Sequence, residues 1–204
     1  MDGSTHFPIG LLAGLEVASK FPLLQASLPY AYPGGLFLLA GAAAVASLLP
    51  DIDHPKSRLG RFVPLPSAER FNGPNAPPKV GRRIPFTGIV IWHRGPTHSL
   101  LAAAIVFVGI WLAFVGHGYA FPVALMALVG YLSHLAVDLF NYTPEWLFWP
   151  FVGGKRGKWV LPWPKMQAGG AGDHVIGAMA SLGVLLVVAG RLTPVLSHFG
   201  ASKP

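Results

Sequence analysis

Two side chains near the end of an apolar run, His134 and Asp138, give the strongest indication of chemistry in this chain. They are four residues apart, so on a helix they would share one face. An imidazole and a carboxylate one turn apart can bind one metal ion or form one hydrogen-bonded pair. Because ionisable groups at membrane depth are costly and usually functional, the spacing favours a site. A satisfied structural pair is the alternative.

A second polar group, Asp51-Ile52-Asp53-His54, follows an earlier apolar run and lies between Pro50 and Pro55. Both prolines disfavour a helix, so these side chains are expected to project from an extended loop. Carboxylate oxygens and imidazole nitrogens suit Zn²⁺, Mn²⁺ or Mg²⁺. The alternative is a helix end capped by aspartate, with a surface histidine beside it.

A third group places His93 and His98 on either side of a Gly-Pro turn, directly before another apolar run. The turn would let both imidazoles point toward one centre. Arg94 lies between them and is a candidate for binding an anionic group such as phosphate, which a guanidinium can contact through two hydrogen bonds. The alternative is a basic loop next to the membrane.

Composition identifies the class of protein that must position these groups. Hydrophobic residues make up 52% of the 204 residues and charged residues 11%, against about 25% charged residues in soluble domains. The chain is therefore predicted to be an integral membrane protein. It has no cysteine, which excludes disulfides, thiolate metal sites and a cysteine nucleophile. The net charge of +7 is explained first by loop topology and anionic lipid headgroups.

The apolar runs predict an all-α bundle of four to five transmembrane helices forming one domain, residues 1–204. Whether the first helix spans the membrane stays open, and no cleaved signal peptide is expected. The stretch from about 62 to 85 is expected to be irregular. Helices are predicted at about 5–20, 34–50, 99–116, 120–140 and 174–190, with polar loops at 51–98 and 141–173.

The basic residues predict the orientation of the bundle. The two polar loops contain 12 of the 15 Lys and Arg residues, so both are expected to face the cytoplasm. The polar groups at the helix ends would then meet at one membrane face, joined by His6 if the first helix spans. Asp173 and His174 open the last helix, where a capping aspartate is as well supported as a ligand.

Taken together, these segments resemble the YdjM-type family of membrane-bound metal-dependent hydrolases of the bacterial inner membrane. The order and spacing agree over roughly residues 5 to 150. The chain departs from the family after Asp138, where Asn141 to Glu145 replace a T-x-x-G-like turn, and in Asp173, where the family tends to have Glu. The matching pieces are Thr5-His6, residues 49–57, residues 93–100, Gly130 to Asp138 and Leu147-Phe148-Trp149-Pro150.

The resemblance implies a fold and a chemistry. The family is distantly similar to zinc phospholipase C and the S1/P1 nucleases, which hydrolyse phosphodiesters at multi-zinc sites. It implies that His134 and Asp138 are metal ligands, that Asp51 or Asp53 supplies a carboxylate, and that His98 and His6 supply imidazoles. Zinc is the expected metal, with manganese and magnesium as alternatives.

The sequence therefore predicts a metal-dependent phosphoester hydrolase in the inner membrane, with its site facing the cytoplasm. A phospholipid headgroup is the favoured substrate and nucleic acid the second choice. A haem protein, a metal carrier or adaptor, and a degenerate hydrolase kept as a scaffold remain open. The candidate metal ligands are His134, Asp138, Asp51, Asp53, His98, His54 and His6; the candidate catalytic residues are Arg94, His93 and Asp53; and Arg94, Lys56 and Arg58 are candidates for binding phosphate.

Overall fold

The computed structural model describes residues 3–26, 28, 34–71, 79–152, 158–161 and 166–200. Its α-helices are α1 Gly3–Lys20, α2 Pro22–Ala26, α3 Gly34–Ala46, α4 Leu100–Ala113, α5 Ala120–Asp138 and α6 Ala171–Gly200. Three short 3₁₀ turns lie at Pro50–Asp53, Gly60–Phe62 and Pro96–His98. A small antiparallel sheet, in the order β1-β2-β3, comprises Ser67–Arg70, Lys79–Arg83 and Val90–Trp92.

Three helical segments of the described chain are long and apolar enough to cross a membrane: Gly34–Asp53, Ala120–Asp138 and Ala171–Arg191. Helix α4 is also apolar but has only 14 residues. The predicted class, a helical membrane protein, is confirmed. A count of four to five spanning helices stays a prediction, because α4 is short and α1 is not one of these three segments.

The sheet lies partly in the stretch that was expected to be irregular. Its strands are too short to show an alternating apolar pattern, since β1 has one buried residue, Ala68. Pairing across the sheet defines the strands instead, with Ser67 opposite Arg82 and Gly81 opposite Trp92. The buried Arg82 guanidinium ties β2 to the preceding loop by donating to the carbonyl oxygens of Leu65 and Gly60. This strand order could not be predicted from residue pattern alone.

The centre of the bundle is formed by α1, α3 and α5, with α6 packed on α1 and α4 packed on α5. Small residues let these helices approach closely, as is typical of helices in membranes. A Cβ on Gly130 of α5 would lie 1.9 Å from the carbonyl oxygen of Ala43 in α3. A Cβ on Gly10 of α1 would lie 2.5 Å from the Ser47 side chain. These contacts position the helix ends that bear the candidate ligands.

Replacing Gly130 with alanine should destabilise the bundle, because the added methyl group cannot fit against the Ala43 carbonyl. We expect a loss of about 1–3 kcal/mol, as for other overpacked interiors, read as a lower thermal unfolding temperature in detergent by circular dichroism. Gly109→Ala is the matched control. Gly109 lies within a helix, and a Cβ there would meet nothing within 4 Å, so this change should be neutral or stabilising. Equal effects of the two changes would contradict the packing argument.

Candidate metal centre

The cluster forms where the ends of four elements meet. His6 lies in α1, Asp51 and Asp53 in the first 3₁₀ turn, His98 in the third 3₁₀ turn, and His134 and Asp138 in α5. All of these side chains are buried. The two aspartates had been expected on an extended loop, but Pro50 stands at the start of a 3₁₀ turn, where its missing N–H costs little. The turn directs both carboxylates inward and leaves Ile52 exposed.

Four side-chain atoms converge on one point. The Nε2 atoms of His98 and His134 are 3.3 Å apart. Asp51 Oδ1 lies 3.5 Å from the first of these nitrogens and 3.6 Å from the second. Asp138 Oδ2 lies 3.8 Å and 3.7 Å from the same two atoms. Around a small divalent ion with bonds of about 2.0–2.2 Å, tetrahedral ligand atoms are about 3.3–3.6 Å apart. The separations in this set are within a few tenths of an ångström of that range, so the four side chains could hold one metal ion.

Neighbouring groups fix the orientation of these side chains. His134 Nδ1 lies 2.7 Å from the carbonyl oxygen of Ser47, to which it donates, so the lone pair on Nε2 faces the cluster. Asp138 accepts a 2.6 Å hydrogen bond from the Asn141 amide and lies 3.1 Å from the Arg94 guanidinium. Partners of this kind typically hold metal ligands in position, and an acceptor such as the Ser47 carbonyl also raises the basicity of the imidazole that donates to it.

His6 is completely buried and stacks on His134, with ring centroids 3.7 Å apart. Its Nε2 lies 3.3 Å from Asp138 Oδ1, but neither ring nitrogen makes a well-aligned hydrogen bond with the described residues. A buried imidazole without such a bond is costly. Together with His134 and Asp138, His6 forms a group whose ligand atoms are all within 4.8 Å of one another, so a cation would satisfy it.

The charges at the cluster also fit a divalent cation. Four carboxyl groups are buried there, whereas Arg94 is the one buried guanidinium that contacts them within the described part of the chain. Buried carboxylates without compensation are strongly unfavourable. Arg94 adopts a left-handed backbone conformation (φ 60°), which is uncommon for a side-chain-bearing residue and typical of functional sites. The four carboxyl groups belong to Asp51, Asp53, Asp138 and Glu145.

A second arrangement, between His93 and Asp53, lies next to these ligands. His93 Nδ1 is 2.9 Å from Asp53 Oδ1, and the Thr97 hydroxyl donates to Asp53 Oδ2. The opposite ring nitrogen, His93 Nε2, lies 3.9 Å from Asp51 Oδ1. The His93 side chain is 20% exposed, so it links the buried cluster to its surroundings. A carboxylate on one ring nitrogen leaves the other oriented either to transfer a proton or to bind a metal.

Glu145 is the cluster residue to which sequence reasoning assigned no role. Its side chain is fully buried, and its backbone exchanges two hydrogen bonds with Trp159. A carboxyl oxygen of Glu145 lies within 4.8 Å of ligand atoms of His98 and Asp138. Burial, reinforced by the nearby Asp138 carboxylate, raises the pKa of Glu145 to about 10. Without a cation the group is therefore protonated at neutral pH. The one feature of the sequence that could have indicated its burial is its place between Pro144 and Trp146.

The remaining predicted site residues lie outside the converging set. His54 is half-buried, and burial lowers its pKa; its Nδ1 accepts a hydrogen bond from the Lys56 N–H. The side chains of Lys56 and Arg58 are exposed. Asp173 accepts a hydrogen bond from the Gly169 N–H at the start of α6, as a capping residue does.

Comparison with known proteins places the chain in a family. The model of the family described as YdjM inner membrane protein matches residues 1–198. Inner membrane protein YdjM of Escherichia coli (strain K12) is 34% identical over 127 residues, which cover 60% of this chain and 54% of that protein. The relative of the same name from Shigella flexneri has the same values. The chain thus spans about half the length of these two relatives.

A more distant relative is matched over a larger share of its length. The Bacillus subtilis (strain 168) protein named uncharacterized protein YvsG is 30% identical over 152 residues, 74% of each chain. No solved structure shows significant similarity. The family match covers nearly the whole chain and agrees with the apolar helices described above. The chain is therefore a member of the YdjM family of inner membrane proteins.

Proposed function

We propose that this protein is a metal-dependent hydrolase of phosphoesters at the cytoplasmic face of the inner membrane. The observation that carries the proposal is the convergence of His98, His134, Asp51 and Asp138 with zinc-like spacing. His6 and Glu145 lie against this set and offer further potential metal-ligand atoms. Carboxylate and imidazole ligands without cysteine suit zinc, and manganese or magnesium less closely.

The chemistry divides between the ion and the protein. When bound, a divalent ion would polarise a phosphoryl oxygen and lower the pKa of a water molecule. His93 would take a proton from the attacking water and return it to the leaving group, because its Nε2 faces Asp51 while Asp53 holds Nδ1. An oriented imidazole of this kind is the commonest general acid and base in enzymes.

The cationic residues would stabilise charge on the phosphate. Arg94 is held by Asp138 and by the carbonyl oxygen of Thr143, at 2.7 Å, so it would act from a fixed position beside the ligand set. Lys56 and Arg58 follow Asp53 by three and five residues and are exposed, so they are free to meet a phosphate arriving from outside.

A phospholipid headgroup is the substrate that best suits this placement. Asp51 and Asp138 stand at the ends of two segments that can cross a membrane, so the cluster lies where those segments leave the lipid. Headgroup phosphates lie at the same depth. Nucleic acid attracted by the basic loops is the second candidate, supported by the net charge of +7, because Lys and Arg bind the phosphate backbone.

The test is hydrolysis by the detergent-purified chain loaded with Zn²⁺ or Mn²⁺. We expect turnover of a phospholipid or of bis(p-nitrophenyl) phosphate that is lost in Asp138→Asn, with nucleic acid assayed in parallel. Hydrolysis of none of these above the Asp138→Asn background would overturn the proposal. Metal-dependent ion flux into liposomes without hydrolysis would instead identify a carrier.

A further inference from the structure

A groove outside the metal centre runs along the junction of α1 and α6. Its volume is about 400 Å³, within the range of about 300–1,000 Å³ that small-molecule sites occupy. The α1 side chains that line it are spaced at three and four residues, so they form one stripe of the helix. Its principal lining residues are Ser4, Phe7 and Leu11 of α1, Val184 and Leu185 of α6, and Arg58.

The groove combines apolar walls with one charged residue. Phe7, Leu11, Val184 and Leu185 supply the walls, and Leu185 is 66% exposed. Arg58 makes no hydrogen bond or ion pair within the part of the chain that the structure describes, although Ser57 next to it is bonded to Asp51. A guanidinium beside an apolar groove at a membrane surface favours an anionic headgroup attached to a hydrocarbon chain.

The groove and the metal centre belong to the same end of the bundle. Ser4 of the groove precedes His6 of the cluster by two residues in α1, and Arg58 follows Asp53 by five residues. On a helix these two α1 positions point in different directions, so the groove and the cluster occupy different faces of α1. A molecule in the groove would thus have its polar end near the membrane face that carries the cluster.

We propose that this groove binds one glycerophospholipid, with an acyl chain against α1 and α6 and its phosphate on Arg58. The interpretation of this groove as the substrate-binding surface of a phospholipid hydrolase rests on the proposed function. Lipid binding itself requires no catalysis. The helix of a second copy is the competing occupant. An apolar helix would leave the Arg58 charge without a partner, and a phosphate would satisfy it.

Native mass spectrometry of the full chain, with phosphatidylglycerol added in detergent and EDTA present, tests lipid binding apart from catalysis. We expect Arg58→Ala to weaken retention about tenfold or more, since a charge-assisted hydrogen bond is lost. Arg83→Ala, at another exposed arginine, should not change it. Leu185→Trp should block the groove, whereas Leu182→Trp, at an exposed leucine that does not line the groove, should not. Diacylglycerol lacks the phosphate and should bind wild type and Arg58→Ala alike.

Two results would overturn the proposal: equal retention by Arg58→Ala and Arg83→Ala, or equal retention by the two tryptophan variants. Either result would mean that the lipid binds non-specifically, as a detergent molecule does, and not in this groove. A concentration-dependent dimer that Leu185→Trp disrupts, without specific lipid retention, would identify a second copy as the occupant. Specific lipid retention here, combined with no hydrolysis of any tested phosphoester by the metal-loaded protein, would support the groove and reject the proposed enzymatic function.

Discussion

Replacing His134 with alanine should remove the bound metal from the purified protein. Its Nε2 lies within 3.7 Å of all three other converging atoms, those of His98, Asp51 and Asp138. The substitution leaves only three of the four converging ligands. A second variant, Asp138→Asn, removes a negative charge from the same set. We expect at least about a hundredfold loss of affinity in each, beyond the effect of losing an outer hydrogen-bond partner. Elemental mass spectrometry should find one or more equivalents in wild type and almost none in either variant.

The control for this result is His117→Ala. His117 is an exposed histidine whose ring nitrogen lies 3.2 Å from the carbonyl oxygen of Phe114, in the turn between α4 and α5. This variant should retain the wild-type metal content. Circular dichroism would show that all variants keep their helices, so that lost metal is not lost fold. Wild-type protein with no metal after reconstitution, or variants that bind as wild type does, would contradict the assignment.

Much of the architecture could be predicted because it depends on local pattern. Uninterrupted apolar runs require helices in lipid, since a helix satisfies its own backbone hydrogen bonds. The four-residue spacing of His134 and Asp138 determined their shared face before any contact was known. The basic loops indicated that several polar helix ends should lie together. The structure brings atoms of Asp51, His134 and Asp138 within 3.8 Å of His98 Nε2.

The parts of the cluster that sequence reasoning missed depend on long-range contacts. The carbonyl oxygen of Ser47 holds His134 across 87 residues, and a backbone atom carries no residue-type signal. Asn141 and Glu145 lie in a loop without periodicity, so only packing shows that Asn141 holds Asp138 and that Glu145 is buried. The same limit applies to the small sheet, where Arg82 bonds two backbone carbonyls rather than solvent.

Replacing His93 with alanine should abolish most of the hydrolysis while the metal stays bound. His93 Nε2 lies 3.9 Å from Asp51 Oδ1, farther than the atoms of His98 and His134, so its loss leaves the converging set intact. A positioned general acid or base contributes about a hundredfold to ten-thousandfold in rate, and kcat should fall by that factor. Asp53→Asn should show a smaller loss, because it disfavours the productive tautomer of the imidazole without removing the ring.

The role of His93 can be identified by measuring both the metal content and the hydrolysis rate of each variant. His54→Ala changes a half-buried neighbouring histidine whose ring stands 4.8 Å from that of His93, and it should retain most of the activity. A His93→Ala protein that loses its metal in parallel with its activity would make His93 a ligand, sharing Asp51 with His98 in a group whose atoms lie within 4.8 Å. Retained metal with lost turnover would assign it to proton transfer. Because Asp53 orients His93 in either case, only this pairing of measurements separates an acid–base histidine from a second metal position.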